Sequence, residues 1–205
     1  MHIACLDLEG VLVPEVWINV ALQTGIEELK LTTRDISDYD DLMRRRLQIL
    51  DQNGLKLADI QNAIAKMKPL DGAVDFLNWL RENFQVIILS DTFYEFAVPL
   101  LKQLDYPTLL CHNLAIDEQG RIVNYLIRLH EQKKASVAAF KNMNFKVIAV
   151  GDSYNDTSML AEAHHGVLFR PSKKVMEEFP QFTTVWDYPE LKNVFIQFNR
   201  LSGKI

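Results

Sequence analysis

The stretch that most constrains the fold of this chain runs from Ile3 to Val13. It begins as a short apolar run of strand character, and Asp7 and Glu9 then stand two residues apart, with Gly10 directly after them. A short apolar run bounded by turn residues is typical of a buried parallel strand. Because carboxylates are costly inside such a strand, we expect both acids at its carboxyl end, where open α/β sheets bind ligands. An ordinary strand exit with two solvated acids fits this stretch equally well.

Length and composition restrict the classes of protein to consider. A chain of 205 residues with 48% hydrophobic residues is long enough for one domain, or for one domain with a modest insertion. A formal net charge of −5 disfavours nucleic acid as the main partner. No apolar run approaches about 20 residues and no cationic segment precedes the first one, so neither a membrane span nor a signal peptide is expected. Cys5 and Cys111 stand alone in apolar runs, which indicates buried free thiols and a cytoplasmic protein.

Residues 14–68 are expected to form a helical insertion after the first strand. A proline at a helix start, an aspartate at an N-cap and a turn residue after a helix end are typical boundary signals. They predict three helices, which start at Pro14, Asp38 and Leu57 and stop at Gly25, Asn53 and Met67. The polar stretch from Glu27 to Asp38 is expected to be an irregular loop.

Arg46 lies within the second of these helices, on the side of its apolar stripe. It follows Leu42 by four residues and Met43 by three, so its side chain points with theirs. It is either a cation that snorkels past the edge of the stripe or a cation held over a pocket.

From Asp71 onward, apolar strand-like runs alternate with amphipathic helices. This order predicts an α/β fold with a doubly wound parallel sheet. The core is expected to comprise residues 1–13 and 69–205, and residues 14–68 to form a small inserted helical cap. The expected strands are Gln85–Ser90, Thr108–Cys111, Phe145–Val150, Gly166–Phe169 and Thr183–Trp186, with a hairpin over Leu114–Leu129, and the expected helices are Ala73–Asn83, Phe93–Leu104, Lys133–Asn142, Thr157–Ala163 and Pro189–Asn199.

Three of the predicted strands end in polar residues, and parallel strands bring such ends to one rim of the sheet. Four or five acids there cannot all stay ionised without a cation, and carboxylate oxygens suit a hard ion such as Mg²⁺. Lys133 and Lys134 open a helix, although the positive end of the helix dipole disfavours lysine there. The candidate metal ligands are Asp7, Glu9, Asp152 and Asp156, and the further polar candidates on the rim are Ser90, Asp91, Lys133 and Asn155.

This set of groups suits phosphoryl transfer. An aspartate carboxylate such as that of Asp7 can attack phosphorus to form an acyl phosphate. A lysine and a metal ion neutralise the oxygens of the transferring group. A second carboxyl group nearby, that of Glu9, can protonate the leaving oxygen and then accept a proton from the attacking water.

The ordered motifs resemble those of the haloacid dehalogenase superfamily of phosphatases over essentially the whole chain. They are residues 7–11 (DLEGV), Ser90, Lys133 and residues 151–156 (GDSYND). The insertion after the first motif resembles the cap of the phosphoserine phosphatase branch, so the resemblance implies an Mg²⁺-dependent enzyme that acts on phosphoserine through a phospho-Asp7 intermediate. It implies that Glu15 and Arg46 hold the amino acid part of the substrate, that Ser90, Lys133 and Asn155 contact phosphate or substrate, and that Asp7, Asp152 and the residue at the Glu9 position contact the metal ion.

The sequence departs from the usual pattern at three positions. Glu9 stands where most members have Asp, Asp91 where the phosphoserine phosphatases have Gly, and Gly10 where they usually have Ser. These features closely resemble a bifunctional subgroup, phosphoserine phosphatase/homoserine phosphotransferase, in which homoserine also accepts the phosphoryl group. Lys133 is preferred to Lys134 as the phosphate lysine because its spacing to Val137 fits the family helix better.

Two other classes of protein remain as alternatives. A phospho-accepting signalling receiver also uses strand-end acids, Mg²⁺ and a lysine, although the insertion and the residue 151–156 loop speak against it. A catalytically inactive fold that only binds phosphate is the second alternative, with Glu9 as the disabling change. Trp17 and Trp79 are expected to be core residues, and a homodimer is left open.

Overall fold

The computed structural model of the protein describes residues 1–32, 35–36 and 38–202. Their strands form a seven-stranded sheet in the order β4-β3-β2-β1-β5-β6-β7, parallel except for β4 against β3. The predicted doubly wound α/β fold is confirmed. The strands are β1 His2–Leu6, β2 Gln85–Phe93, β3 Leu109–Ile116, β4 Ile122–Leu126, β5 Lys146–Gly151, β6 His165–Phe169 and β7 Thr183–Val185.

The central strand β1 is buried on both faces, which explains its unbroken apolar run. Ala4 and Leu6 belong to the larger apolar cluster on one side of the sheet, and Ile3 and Cys5 to the smaller cluster on the other. Strand β1 pairs with β2 on one side and with β5 on the other. The segment after β1 therefore lies between the carboxyl ends of β2 and β5, where the three predicted polar clusters meet.

Nine α-helices lie among the described residues, and most of their bounds agree with the predicted ones to within a few residues. The helix over Ala73–Asn83 was predicted at its observed bounds. The helices are α1 Val16–Thr24, α2 Tyr39–Gln52, α3 Leu57–Ile64, α4 Ala73–Asn83, α5 Tyr94–Gln103, α6 Gln132–Asn142, α7 Thr157–Glu162, α8 Lys173–Glu178 and α9 Tyr188–Ser202.

Where they are described, residues 14–68 contain the helices α1, α2 and α3, and they contact the rest of the chain through apolar and polar groups. Asp38 caps α2 as expected, since its side chain accepts the N–H of Asp41 at 2.8 Å. The hydroxyl of Tyr125, on β4, donates to Asp40 at 2.5 Å. The side chain of Gln61 donates to the carbonyl of Glu95 at 2.8 Å. The Tyr125 bond ties α2 to the edge strand β4, and the Gln61 bond ties α3 to α5.

Several boundaries predicted from the sequence were wrong. Strand β2 continues through the polar residues Ser90–Thr92 to Phe93, because a shift of its register with β3 accommodates them. Strand β3 continues past its predicted end at Cys111 to Ile116, which lies within the segment predicted as a hairpin. A short 3₁₀ helix covers Glu27–Lys30 in the stretch expected to be irregular, and α3 stops at Ile64 rather than Met67. Helix α8 was missed, because it is short and buries only Val175, so it shows no apolar stripe.

No helix in the described part of the chain is long and apolar enough to cross a membrane. Cys5 and Cys111 are both buried free thiols, as expected.

Candidate active site

All the site residues predicted from the sequence except Asp156 line one cavity of about 320 Å³ above the carboxyl ends of β1, β2 and β5. Helices α1 and α2 form its opposite wall. The predicted residues that line it are Asp7, Glu9, Glu15, Arg46, Ser90, Asp91, Lys133, Asp152 and Asn155.

Asp7 follows β1 and is held in place from two directions. Its N–H donates to the carbonyl of Val150 at 2.9 Å, which extends the pairing with β5 by one residue. Its Oδ1 accepts the N–H of Leu8 at 2.7 Å and lies 3.0 Å from Nζ of Lys133. Burial raises the pKa of this carboxyl group, the charge of Asp156 raises it further, and Lys133 works against both.

Three carboxyl groups converge beside Lys133. Asp7, Asp152 and Asp156 each place one oxygen so that the three lie within 4.8 Å of one another. Burial and the charge of Asp156 raise the pKa of Asp152 to about 7. A set of carboxylate oxygens at this spacing fits a hard divalent cation such as Mg²⁺, which would offset the charge of Asp156 that, after burial, raises the pKa of Asp7 and Asp152.

Lys133 is the buried cation at the centre of this cluster. Its Nζ lies 2.8 Å from Asp156, 3.0 Å from Asp7 and 3.7 Å from Asp91. Burial lowers the pKa of Lys133, but these carboxylates outweigh burial, so the pKa is raised well above its ordinary value. Lys134, the alternative considered in the sequence, is exposed to solvent.

Asp156 lies beneath the cavity, where it is fully buried. Its Oδ2 accepts the N–H groups of Asp152 at 3.0 Å and Ser153 at 3.2 Å, and its Oδ1 accepts a hydrogen bond from Lys133. A Cβ atom on Gly151 would stand 2.2 Å from the Cβ of Asp156, so only glycine permits this approach. Asp156 therefore fixes the loop that carries Asp152, and it also contributes one oxygen to the set of three converging carboxylates.

Gly10 lets the loop after β1 approach Asp152. Its φ angle is +76°, and a Cβ atom there would stand 2.4 Å from Cγ of Asp152. A residue with a side chain would have to adopt an unfavourable left-handed backbone conformation, and its Cβ atom would clash with the carboxyl group of Asp152. Glycine at this position, where serine is usual in the resembling family, therefore has a steric reason in this chain.

The carboxyl group of Glu9 turns away from the three clustered carboxylates. Its Oε2 accepts the N–H of Val16 at 2.8 Å, at the start of α1. Burial and the charge of Glu15 raise the pKa of Glu9 to about 8. Glu9 therefore lies in the cavity apart from the acids that could hold a metal ion, and its raised pKa favours the protonated form near neutral pH.

Arg46 enters the cavity from α2 as a buried cation. Its guanidinium carbon lies 4.5 Å from the ring centroid of Trp17, and its Nη2 donates to the carbonyl of Leu31 at 2.8 Å. Its Nε is buried and has no hydrogen-bond partner among the described residues. Burial lowers the pKa of Arg46 to about 10, which still leaves the group charged near neutral pH. A buried guanidinium with an unused donor is suited to an incoming carboxylate.

Asp91 lines the side of the cavity next to β3. Its Oδ1 lies 3.7 Å from Nε2 of His112, and its Oδ2 faces Lys133. The Nδ1 atom of His112 accepts the N–H of Arg128 at 3.2 Å, so the ring proton lies on Nε2, towards Asp91. Burial lowers the pKa of His112, which favours the neutral ring.

Sequence reasoning missed several residues of the site. Trp17, expected in the core, is only half-buried; it lines the cavity and stacks on Arg46. Tyr39 also lines the cavity, and His112 and Gln132 support Asp91 from behind it. The apolar periodicity of α1 concealed Trp17, because a residue at the edge of an apolar stripe can pack inward or face a pocket.

Comparisons with known proteins identify a family for this chain. The family model for haloacid dehalogenase-like hydrolases matches residues 1–164. The chain is 61% identical over 197 residues to the phosphoserine phosphatase ThrH of Pseudomonas aeruginosa, with 96% of each chain covered. It is 60% identical to a phosphoserine phosphatase of Pseudomonas syringae pv. tomato, over 96% of this chain and 83% of that protein.

Solved structures resemble the fold at lower identity. A phospho-aspartyl intermediate analogue of phosphoserine phosphatase aligns with a TM-score of 0.73 and 18% identity, over 94% of this chain and 98% of that chain. Phosphoserine phosphatase in apo form aligns with a TM-score of 0.70 and 21% identity, over 86% of this chain and 90% of that chain. At these identities the likeness concerns the fold alone.

Proposed function

This chain belongs to the haloacid dehalogenase-like hydrolase family, and we propose that it hydrolyses L-phosphoserine through a phosphorylated Asp7. The observation that carries the proposal is the contact between Asp7 and Lys133, 3.0 Å apart, at the floor of a cavity whose far wall presents the buried cation Arg46. The first contact suits a phosphate group and the second suits a carboxylate, at the two ends of one small molecule. Membership of a hydrolase family excludes the signalling receiver considered from the sequence.

The first chemical step breaks the phosphate ester bond. An oxygen of Asp7 attacks phosphorus, a bond forms between the two atoms, and the bond from phosphorus to the serine oxygen breaks. Glu9 gives its proton to that oxygen, which leaves as the hydroxyl of serine. The raised pKa of Glu9, about 8, keeps this proton available near neutral pH.

The second step regenerates Asp7. Glu9, now ionised, takes a proton from water, whose oxygen attacks phosphorus. The acyl phosphate bond to Asp7 breaks, and inorganic phosphate and the free carboxylate result. Lys133, Ser90 and Asn155 are the proposed contacts of the phosphate oxygens, because all three line the floor of the cavity.

Mg²⁺ is the proposed cofactor. Asp7, Asp152 and Asp156 would hold the ion, since their oxygens converge within 4.8 Å. When bound, it supplies positive charge that neutralises the oxygens of the transferring group. The carboxylate of Glu9 is not among the oxygens that converge there, and Glu9 keeps the acid and base role proposed above.

The amino acid part of the substrate is proposed to bind between Glu15 and Arg46. The unused Nε of Arg46 would donate to the substrate carboxylate, and Trp17 holds the guanidinium in the required plane. Glu15 lines the same wall and would accept the substrate ammonium group. We assign residues 14–68, which carry both groups, to the cap that covers the substrate.

Homoserine is the proposed second acceptor of the phosphoryl group. Glu9 and Asp91, the acids that depart from the usual family pattern, both line the cavity beside Asp7. An alcohol that replaces water in the second step would leave as phosphohomoserine, with its proton on Glu9. The buried free thiols Cys5 and Cys111 support a reducing compartment, so we assign the enzyme to the cytoplasm.

The test of this proposal is phosphate release from L-phosphoserine with Mg²⁺, with and without homoserine. Wild-type turnover that is lost in Asp7→Asn supports the phosphatase, and phosphohomoserine in the second reaction supports the transferase. Phosphate release without phosphohomoserine rejects homoserine as acceptor. An absence of turnover in both reactions, with phosphate still bound, favours the inactive binding protein.

A further inference from the structure

The stretch of strand β2 around Ser90 is held by a side chain in addition to its neighbouring strands. Pairing of β2 with β1 ends at Ile88, and its register with β3 shifts between Leu89 and Phe93. Ser90 lies in this irregular stretch and is buried. Its carbonyl accepts a hydrogen bond from the side-chain amide of Gln132, which supplies a donor to a buried acceptor beyond the regular pairing with β1.

Gln132 is itself held in one orientation. It is 1% exposed, and its Oε1 accepts a hydrogen bond from Nη2 of Arg128 at 2.5 Å. A guanidinium group only donates, so Oε1 must face Arg128 and Nε2 must face Ser90. The same Nε2 lies 3.4 Å from Oδ1 of Asp91. Arg128 is anchored in turn through its Nε, which donates to the carbonyl of Cys111 at 3.1 Å.

Gln132 and its neighbour in the chain contact two parts of the proposed phosphate site. Gln132 bonds to Ser90 and Asp91 at the end of β2, and Lys133 reaches Asp7 after β1. Both stand in the first turn of α6, so a displacement of that turn would change the spacing between Ser90 and Lys133.

We propose that Gln132 is a positioning residue, which sets Ser90 and Asp91 at the distance from Lys133 that the phosphate group requires. The inference rests on the proposed function, in which Ser90 and Lys133 contact the phosphate. Gln132 does not line the cavity and acts through the groups it holds. Without its amide, the carbonyl of Ser90 and the guanidinium of Arg128 lose a buried partner, and the irregular stretch of β2 around Ser90 is free to shift.

The first test compares Gln132→Met, of similar length but without hydrogen-bonding groups, with Lys134→Met on the exposed side of α6. We expect Gln132→Met to lower kcat for phosphoserine about tenfold and to weaken inhibition by inorganic phosphate several-fold, since a displacement of about 1 Å is enough to disturb a catalytic geometry. Inhibition by L-serine should change less than twofold, because its proposed contacts lie on the opposite wall. Lys134→Met should leave all three quantities unchanged.

Gln132→Glu separates positioning from stability. The glutamate keeps an acceptor for Arg128 and loses the donor to Ser90, so its melting temperature should stay closer to the wild-type value than that of Gln132→Met. Its kcat and phosphate inhibition should still fall as in Gln132→Met. Values within twofold of wild type in both variants, or equal weakening of phosphate and L-serine, would overturn the positioning role.

Binding of inorganic phosphate by calorimetry, with Mg²⁺ present, distinguishes this inference from the proposed function. A wild-type protein that binds phosphate but shows no turnover would reject the proposed function alone. Weaker phosphate binding by both Gln132 variants would then still support the inference. Equal binding by wild type and variants, or no binding by wild type, would overturn it.

Discussion

The hydroxyl of Tyr188 donates a 2.7 Å hydrogen bond to the main-chain carbonyl of Val11, across 177 positions of the chain. The ring of Tyr188 stacks between Phe76 and Phe169, at centroid distances of 5.2 and 4.9 Å. Val11 is fully buried and follows Gly10, where an added Cβ atom would clash with Asp152. A rigid aromatic layer from three parts of the chain therefore holds the loop that carries Asp7 and Glu9.

Tyr188→Phe should lower the free energy of unfolding by about 1–3 kcal/mol. The variant keeps the ring and its stacking but leaves the carbonyl of Val11 buried without its donor. Urea denaturation measures the change, with Tyr106→Phe as the control, since Tyr106 is 66% exposed. An equal decrease in the free energy of unfolding in the two variants would show that the hydroxyl of Tyr188 makes no specific contribution to stability.

Arg46→Ala should raise the KM for phosphoserine about 10- to 100-fold, the size expected for the loss of hydrogen bonds to a charged group. Hydrolysis of ethyl phosphate, which lacks the carboxylate and ammonium groups, should change far less. Steady-state kinetics on both substrates measures the difference. Arg44→Ala is the matched control, because Arg44 pairs with Asp41 on the exposed side of the same helix. A proportional loss on both substrates would contradict the proposed carboxylate contact.

The pH dependence of kcat/KM should show a falling limb as the pH rises through about 8. Burial and Glu15 raise the pKa of Glu9 to about 8, so its carboxyl group is protonated below that pH and ionised above it. The proposed first step uses the protonated form as an acid, and the rate falls when the proton is lost. In Glu9→Gln the residual activity should lack this limb. A limb that persists in the variant would assign the titration to another group.

The affinity for Mg²⁺ should weaken as the pH falls through about 7. The pKa of Asp152 is raised to about 7, so below that pH protons occupy the carboxylate and compete with the ion. Each unit of further acidification should weaken binding up to about tenfold. Calorimetric titration with Mg²⁺ from pH ~5.5 to pH ~8, on both sides of this pKa, measures the dependence.

Asp152→Asn should bind Mg²⁺ more weakly at every pH and should lose most of the dependence on pH near 7. Asp187→Asn is a suitable control because this acid lies far along the chain, beside Tyr188, and does not line the cavity. Affinity that does not vary with pH in the wild-type protein would contradict the assignment of Asp152 as a ligand.

The elements that could be predicted from the sequence are those whose apolar pattern and boundary residues lie within the element itself. Strand β1 reads as an unbroken apolar run because both its faces are buried, and α4 was predicted at its observed bounds because its apolar period and its boundaries agree. The grouping of Asp7, Ser90 and Asp152 at one cavity follows from the topology alone, since parallel strands end at the same rim.

Tertiary packing decided which way each side chain of the site points. Glu9 turns towards the start of α1 rather than towards the clustered carboxylates, Asp156 lies under the cavity, and Trp17 faces the cavity from the edge of an apolar stripe. Gln132 carries no local signal, because its role exists only where an irregular strand end meets α6. Local periodicity specifies the face of an element on which a residue lies, whereas the partner of a polar side chain depends on the donors and acceptors that distant parts of the chain bring within about 3 Å of it.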